Sequence, residues 1–455
     1  MQVLEDPYDR YRRQFQRIQR ELRIAAYPDD EPVELDCDDL TRPTISYQRD
    51  HVIAYTGSDN VDFLEAHFDA ARVGEARSGT QLMKVNGDAR EIVERARAGR
   101  GRQSYSLNHL IAVAVGDVNL CPCDEPMLPP SDAFMYPDPS RADPEAGRGV
   151  MVDVIDTGLI RTYAEHRHLD GVEALGFRNQ LGEGEFVPLD YGHGTFVTGV
   201  LRSVAPAVDV RVSRLLRRGG ATTEFTLRDE LEAVLHRDPP PDIVSLSAGN
   251  TSSDGHTMMA LEPVVDRLHA AGIVLVAAAG NNGNDVKFFP AAFKNVIGVG
   301  ATRRGARGRA CFSNYGPWVS VYAPGERLVN AFVTEGRYRT VHEGRETCRF
   351  RGRREEGWYG NCTCIDTLEQ GDITTFPSNL ARWSGTSFAT PIVAGLIAAR
   401  LALARRDHPD TTPRQAADWL LRHADRGAGA TGPLVEPGQQ LVSRCGNDPD
   451  CAGDC

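Results

Sequence analysis

No stretch of about 18 consecutive apolar residues occurs in the chain, which argues against a membrane-spanning helix. The first ten residues, Met1-Gln2-Val3-Leu4-Glu5-Asp6-Pro7-Tyr8-Asp9-Arg10, are charged and contain no apolar h-region, so they do not read as a secretory signal. The expectation is a cytoplasmic protein with no membrane partner. An excess of positive charge is also missing. With a formal net charge of −12, a nucleic-acid partner has no electrostatic support. No internal repeat is evident, and no acidic loop is diagnostic of calcium. The pairs Cys121-Pro-Cys123 and Cys362-Thr-Cys364 lack the two-residue spacing of a zinc knuckle.

Cysteine itself is not scarce. Ten are present, at 37, 121, 123, 311, 348, 362, 364, 445, 451 and 455. Without an export signal they read as thiols or a soft-metal site, and the dense tail from Cys445 to Cys455 keeps disulfide pairing open. A chain of 455 residues is long for one domain and short for three.

Residues 1–48 form a charged extension in which Tyr11, Phe15, Ile18 and Leu22 recur at helical spacing. Residues 49–118 alternate strand-like runs (51–55, 81–85, 107–115) with helical ones (61–68 onward, 89–98), the pattern of a small α+β or ferredoxin-like domain. Residues 119–149, rich in Pro, Asp, Ser and Gly, read as a linker. From 150 to 427 strand-like runs at 151–155, 208–213, 243–247 and 273–279 alternate with helical ones at 195–203, 224–236, 258–271 and 387–405. The almost purely apolar strands near 243 and 273 predict a parallel sheet covered on both faces. An insertion at about 334–378 and a Cys-containing tail, 428–455, complete the chain.

Three boundaries within the 150–427 unit carry chemistry. Val152-Asp153-Val154-Ile155-Asp156-Thr157-Gly158 is a strand ending on a carboxylate. Tyr191-Gly192-His193-Gly194-Thr195 places a histidine between glycines at the head of an apolar helix. Ser384-Gly385-Thr386-Ser387-Phe388-Ala389-Thr390-Pro391 sets a serine on a turn feeding a helix, beside free N–H groups and the positive end of the helix dipole, with Pro391 expected in the first turn. Singly, each residue has an ordinary use: Asp156 as a turn cap, His193 as a buried structural histidine, Ser387 as an N-cap. Together they offer a nucleophile, a base and a carboxylate that orients the base.

With these motifs in this order, the chain resembles the subtilisin-like (subtilase) serine peptidases. Asp242-Ile243-Val244-Ser245-Leu246-Ser247-Ala248-Gly249 resembles the strand lining the family's substrate cleft. Ile273-Val274-Leu275-Val276-Ala277-Ala278-Ala279-Gly280-Asn281 resembles the strand that delivers an oxyanion-hole asparagine. The resemblance implies an α/β fold with a parallel-sheet catalytic domain, preceded by a small α+β prodomain. It implies a serine endopeptidase acting on protein or peptide substrates, with Asp156, His193 and Ser387 catalytic and Asn281 in the oxyanion hole. Ser247, Ala248, Gly249, Ala278, Gly280 and Phe288 would bind substrate, Phe288 flooring a shortened apolar pocket. No cofactor is required for such chemistry, although family members often bind structural calcium. The N-terminal domain would be an inhibitor of its own core. Two further readings stay open: a specialised peptide-maturing protease or macrocyclase with one dedicated substrate, and a non-catalytic binding module. Phe196 and Phe388 depart from the family pattern at positions expected to affect packing alone.

Overall fold

The structure, a computed structural model, describes residues 7–24, 32–39, 45–57, 59–100, 104–113, 125–176, 178–179, 181, 185–188, 190–216, 219–252, 258–303, 305, 308–333, 336–339, 373–426 and 432–437. Its N-terminal unit comprises α1 (Pro7–Leu22), β1 (Leu35–Cys37), β2 (Ser46–Tyr55), α2 (Asn60–Phe68), β3 (Ala71–Arg77), β4 (Thr80–Lys84), α3 (Ala89–Arg100) and β5 (Tyr105–Ala112). From β2 onward this is a β-α-β-β-α-β unit with antiparallel strand order β5-β2-β4-β3, the split βαβ arrangement. Strand β1 pairs antiparallel with the start of β2. Alternation along the strands sends Val52, Ala54, Met83, Tyr105 and Leu107 to one face, under Leu64, Ile92, Val93 and Ala96 of the helices. Ile53 and Leu82 point the other way and bury against Phe225, Met259 and Ala260 of the second unit.

That unit contains β6 (Met151–Asp156), β7 (Glu173–Leu175), β8 (Phe186–Val187), α4 (His193–Val204), β9 (Asp209–Arg214), β10 (Ala221–Thr223), α5 (Glu224–Leu235), β11 (Ile243–Leu246), α6 (Leu261–Ala270) and β12 (Val274–Ala278). After them come β13 (Val296–Thr302), β14 (Val321–Pro324), β15 (Leu328–Ala331), β16 (Arg337–Arg339), β17 (Ile373–Thr374), β18 (Leu380–Trp383), α7 (Thr386–Asp407) and α8 (Pro413–Arg422). Seven strands form one parallel sheet in the order β14-β13-β12-β11-β6-β9-β7. Along β12, Val274 and Val276 pack toward α4, α7 and α8, while Leu275 and Ala277 pack toward α5 and α6. A strand buried on both faces has no polar side to show, which is why these runs are apolar throughout.

Helix α7 is long and apolar enough to cross a membrane, yet 83% of its apolar window is buried inside the fold. It is the central helix of the core. Most of the insertion at 334–378 lies outside the described residues; of the remainder, β16 pairs with β17 and with β8. Among the cysteines, 121, 123, 348, 362, 364, 445, 451 and 455 also lie outside the described residues. Cys37 and Cys311 are buried. Burial and the neighbouring Asp36 and Asp38 push the Cys37 thiol up to about 12, which makes it a poor nucleophile.

The two units share a sheet edge. β5 runs antiparallel to β10, pairing Ala112 with Ala221, Ile111 with Thr222 and Leu110 with Thr223. Beyond this, Ala112 and Gly249 exchange hydrogen bonds of 3.2 and 3.1 Å, and the Val113 N–H donates to Gly220 O at 2.9 Å. The end of β5 is thus threaded between β10 and the segment that follows β11.

Candidate active site

Asp156 is the last residue of β6, and its carboxylate is fully buried. Its Oδ1 accepts the Thr157 N–H at 2.7 Å and lies 2.8 Å from His193 Nδ1. His193 opens α4. The flanking glycines are required by close approach: a Cβ on Gly192 would lie 2.4 Å from the Phe332 ring, and one on Gly194 would lie 2.4 Å from Gly158 O. Thr157 Oγ1 accepts the Gly194 N–H at 3.0 Å, tying the aspartate turn to the histidine helix.

Ser387 is the second residue of α7, where first-turn N–H groups have no intrahelical acceptor. Its hydroxyl donates toward Ser247 O at 3.2 Å and Val113 O at 3.3 Å. Ser387 Oγ is thus hydrogen-bonded to two carbonyls and not to His193. The structure corrects the expectation for Pro391, which lies inside α7 rather than in its first turn. Its missing N–H therefore leaves the Ser387 carbonyl without its helical donor. Ser247 Oγ supplies the replacement at 2.8 Å.

Asn281 follows β12, and its Oδ1 accepts both the Thr386 N–H (2.9 Å) and the Thr386 hydroxyl (2.8 Å). With the oxygen held by two donors, the amide NH2 is turned the other way, toward Gly385. Asn314 braces this loop: its Nδ2 donates to Ala279 O at 2.8 Å and its Oδ1 accepts the Asn282 N–H at 2.9 Å. Thr386 stands within the serine motif and was legible there. Asn314 is more than thirty positions from Asn281 and carried no signal.

The Ser387, His193, Asp156 and Asn281 motifs converge from the carboxyl ends of parallel strands and the starts of two helices. A family model described as "Subtilase family" matches residues 147–441. The chain belongs to the subtilase family. Among curated relatives, a thermophilic serine proteinase of Bacillus sp. (strain AK1) is 37% identical over 202 residues, covering 42% of this chain and 47% of that protein. An extracellular serine proteinase of Thermus sp. (strain Rt41A) is 29% identical over 283 residues, covering 61% of this chain and 56% of the relative. The chain therefore spans about half the length of the curated relatives it matches. A cold-adapted subtilisin-like serine proteinase of solved structure matches at TM-score 0.44 and 23% identity, covering 70% of this chain and 97% of that one.

In this subtilase, Phe288 is buried between the segments that follow β11 and β12. A Cβ on Gly249 would meet its ring at 2.4 Å, and one on Gly280 would meet it at 2.9 Å. Glycine at both positions is thus a condition for the ring. Ala248 and Ala278, the neighbours of these segments in the chain, are also buried. Phe196 and Phe388 pack on each other with ring centroids 4.5 Å apart, and the Phe388 and Trp383 rings stand 5.2 and 5.4 Å from that of His193. Phe196 and Phe388 therefore act as one packing unit. Among the described residues, no group of three or more His, Cys, Asp or Glu side chains is placed to hold a metal ion.

Proposed function

We propose that this subtilase is a serine endopeptidase whose N-terminal unit masks the cleft. The observation that carries the reading is the end of β5. It is paired on both edges, by β10 and by Gly249, and it delivers the Val113 carbonyl to 3.3 Å from Ser387 Oγ. A segment bound as an added strand is held by its backbone, so the same cleft suits extended protein or peptide substrates.

In the proposed reaction Ser387 Oγ attacks the substrate carbonyl. His193 Nε2 takes the hydroxyl proton and returns it to the leaving amine, while Asp156 fixes the ring through Nδ1. The Asn281 amide and the Ser387 N–H stabilise the oxyanion of the acyl-transfer intermediate. Phe288 shortens the pocket between Ala248-Gly249 and Ala278-Gly280, favouring small or medium apolar side chains before the scissile bond.

Masking is supported by contacts away from the cleft. His109 Nδ1 lies 2.6 Å from Glu224 Oε2, both fully buried. Arg228 donates to Arg77 O at 2.9 Å, and Ser78 donates to Glu232. An inhibitor attached to its target acts at high effective concentration, so each contact can be modest.

The test is intact mass and fluorophosphonate labelling of the wild-type and Ser387→Ala chains. The wild type should release an N-terminal fragment ending at Val113 or the residue after it, then label at Ser387. The Ser387→Ala chain should stay whole. Equal cutting of both chains, or a wild type that never labels, would reject the reading.

A further inference from the structure

Helix α1 precedes the ferredoxin-like unit in the chain, yet its apolar residues do not pack on that unit's main core. Phe15, Ile18 and Leu22 bury instead in a separate cluster with Leu35, Cys37, Leu110, Ala112 and Ala221. Two of those partners, Leu110 and Ala112, belong to β5, and Ala221 belongs to β10. Strand alternation explains the choice. Along β5, Ile111 and the following Val113 point into the core beneath α5 and α6, which leaves Leu110 and Ala112 on the outer face. Leu35 and Cys37 of β1 extend that face within the N-terminal unit, and Ala221 of β10 completes it from the catalytic unit while β5 and β10 lie side by side.

Contacts along the C-terminal half of the helix reach the catalytic unit. The backbone of α1 packs on Gly219, where an added Cβ would lie 3.5 Å from Ile18 Cα and 3.3 Å from Glu21 Cβ. Arg17 pairs with the buried carboxylate of Asp190 at 3.3 Å. The Asp190 carbonyl in turn accepts the His193 N–H at 3.1 Å, on the turn that starts α4. Beside this pair lies the buried Tyr338, whose phenol is held well above its ordinary range by burial and by Glu125.

We propose that α1 is a latch: it recognises the composite surface of β10 and β5 and holds β5 in the cleft after the chain is cut. The proposal rests on the masking reading and deepens it. The β5–β10 ribbon is only three residue pairs long, and a ribbon that short is marginal without cover. With α1 in place, departure of β5 requires the helix to leave Gly219, Ala221 and Asp190 as well. Release is then governed by loss of the α1 contacts rather than by cleavage alone.

The experiment is hydrogen exchange on the full-length Ser387→Ala chain, with and without Ile18→Asp or Arg17→Ala. None of these variants can cut itself, so exchange reports the contact and not the chemistry. With Ile18→Asp, amides 110–113 and 221–223 should exchange at least about 10-fold faster, while 52–54 and 81–83 in the N-terminal sheet keep their protection. Arg17→Ala should move the same amides in the same direction by less. In chains with Ser387 intact, Ile18→Asp should shorten the delay between cleavage and fluorophosphonate labelling. Equal protection of 110–113 in all variants would overturn the latch and leave masking standing. Free exchange of 110–113 in the chain carrying only Ser387→Ala would overturn masking, and the latch with it. If Ile18→Asp also unfolds the N-terminal sheet, Arg17→Ala decides, and unchanged exchange there rejects the proposal.

Discussion

At the scale of single residues, the site pairs strong local constraint with one soft element. Asp156, His193 and Asn281 are each held by partners of fixed geometry, whereas the Ser387 hydroxyl is a rotor facing two carbonyls. If the four residues work as proposed, Ser387→Ala and His193→Ala should each leave only residual turnover, and the double variant should be scarcely worse than either. Asn281→Ala should lower kcat by about 10²–10³ with little change in KM. Steady-state kinetics on a peptide substrate checks both. Phe288→Ala should lengthen the pocket and raise kcat/KM for peptides with Phe or Tyr before the scissile bond, relative to Ala. A peptide library compared between the two enzymes reads this directly, and an unchanged ranking would remove Phe288 from the pocket.

His168 offers a residue-scale test of stability. Burial depresses its folded pKa from 6.5 to about 4, despite the hydrogen bond to Asn330 Oδ1 at 3.2 Å. Below its unfolded value the unfolded chain binds the proton and the folded chain does not. Stability is therefore lost as pH falls from about 6.5 toward 4. Chemical unfolding of the Ser387→Ala chain should show this slope, and His168→Gln should flatten it.

Among elements, α7 carries the greatest demand. It has to present Ser387 at its first turn, fill the centre of the core and accommodate Pro391 one turn later. The carbonyl that Pro391 strands is taken by Ser247, the residue that follows β11. Ser247→Ala should cost about 1–3 kcal/mol by leaving that buried acceptor unpaired. Pro391→Ala in the same chain should recover part of the loss by restoring a helical N–H. A double-mutant cycle by urea unfolding measures the coupling, and additive effects would reject the account.

Across the whole molecule, the second face of the N-terminal sheet is the broad contact between the units. Ile53 and Leu82 bury against Phe225, Met259 and Ala260 without any pairing of strands. Leu82→Asp would set a charge in that apolar seam and should raise fluorophosphonate labelling of the uncut chain several-fold. Circular dichroism can confirm that the N-terminal unit stays folded. Labelling as slow as in the parent would mean that the strand contact alone does the masking.

Much of this architecture was legible from residue order. Hydrophobic period separates β2, β4 and β5 from α2 and α3, and unbroken apolar runs mark β11 and β12 as doubly covered, because these signals are local and depend on burial alone. The Asp156, His193, Asn281 and Ser387 motifs were legible for a similar reason: each is a short turn, and Gly158, Gly192, Gly194 and Gly280 in the first three are dictated by close approach. What only the tertiary structure decided are relations between distant segments. These are the brace of Asn314 on the Asn281 loop, the use of Ser247 to satisfy Ser387, the Phe196–Phe388 pair, the seating of Phe288 between Gly249 and Gly280, and the α1 cluster on Leu110, Ala112 and Ala221. The helical period of Phe15, Ile18 and Leu22 announces an apolar stripe, but a stripe does not name its partner. That partner is a face of β1 and β5 completed by Ala221, which joins it only when residues 110–112 and 221–223, about a hundred positions apart, lie side by side.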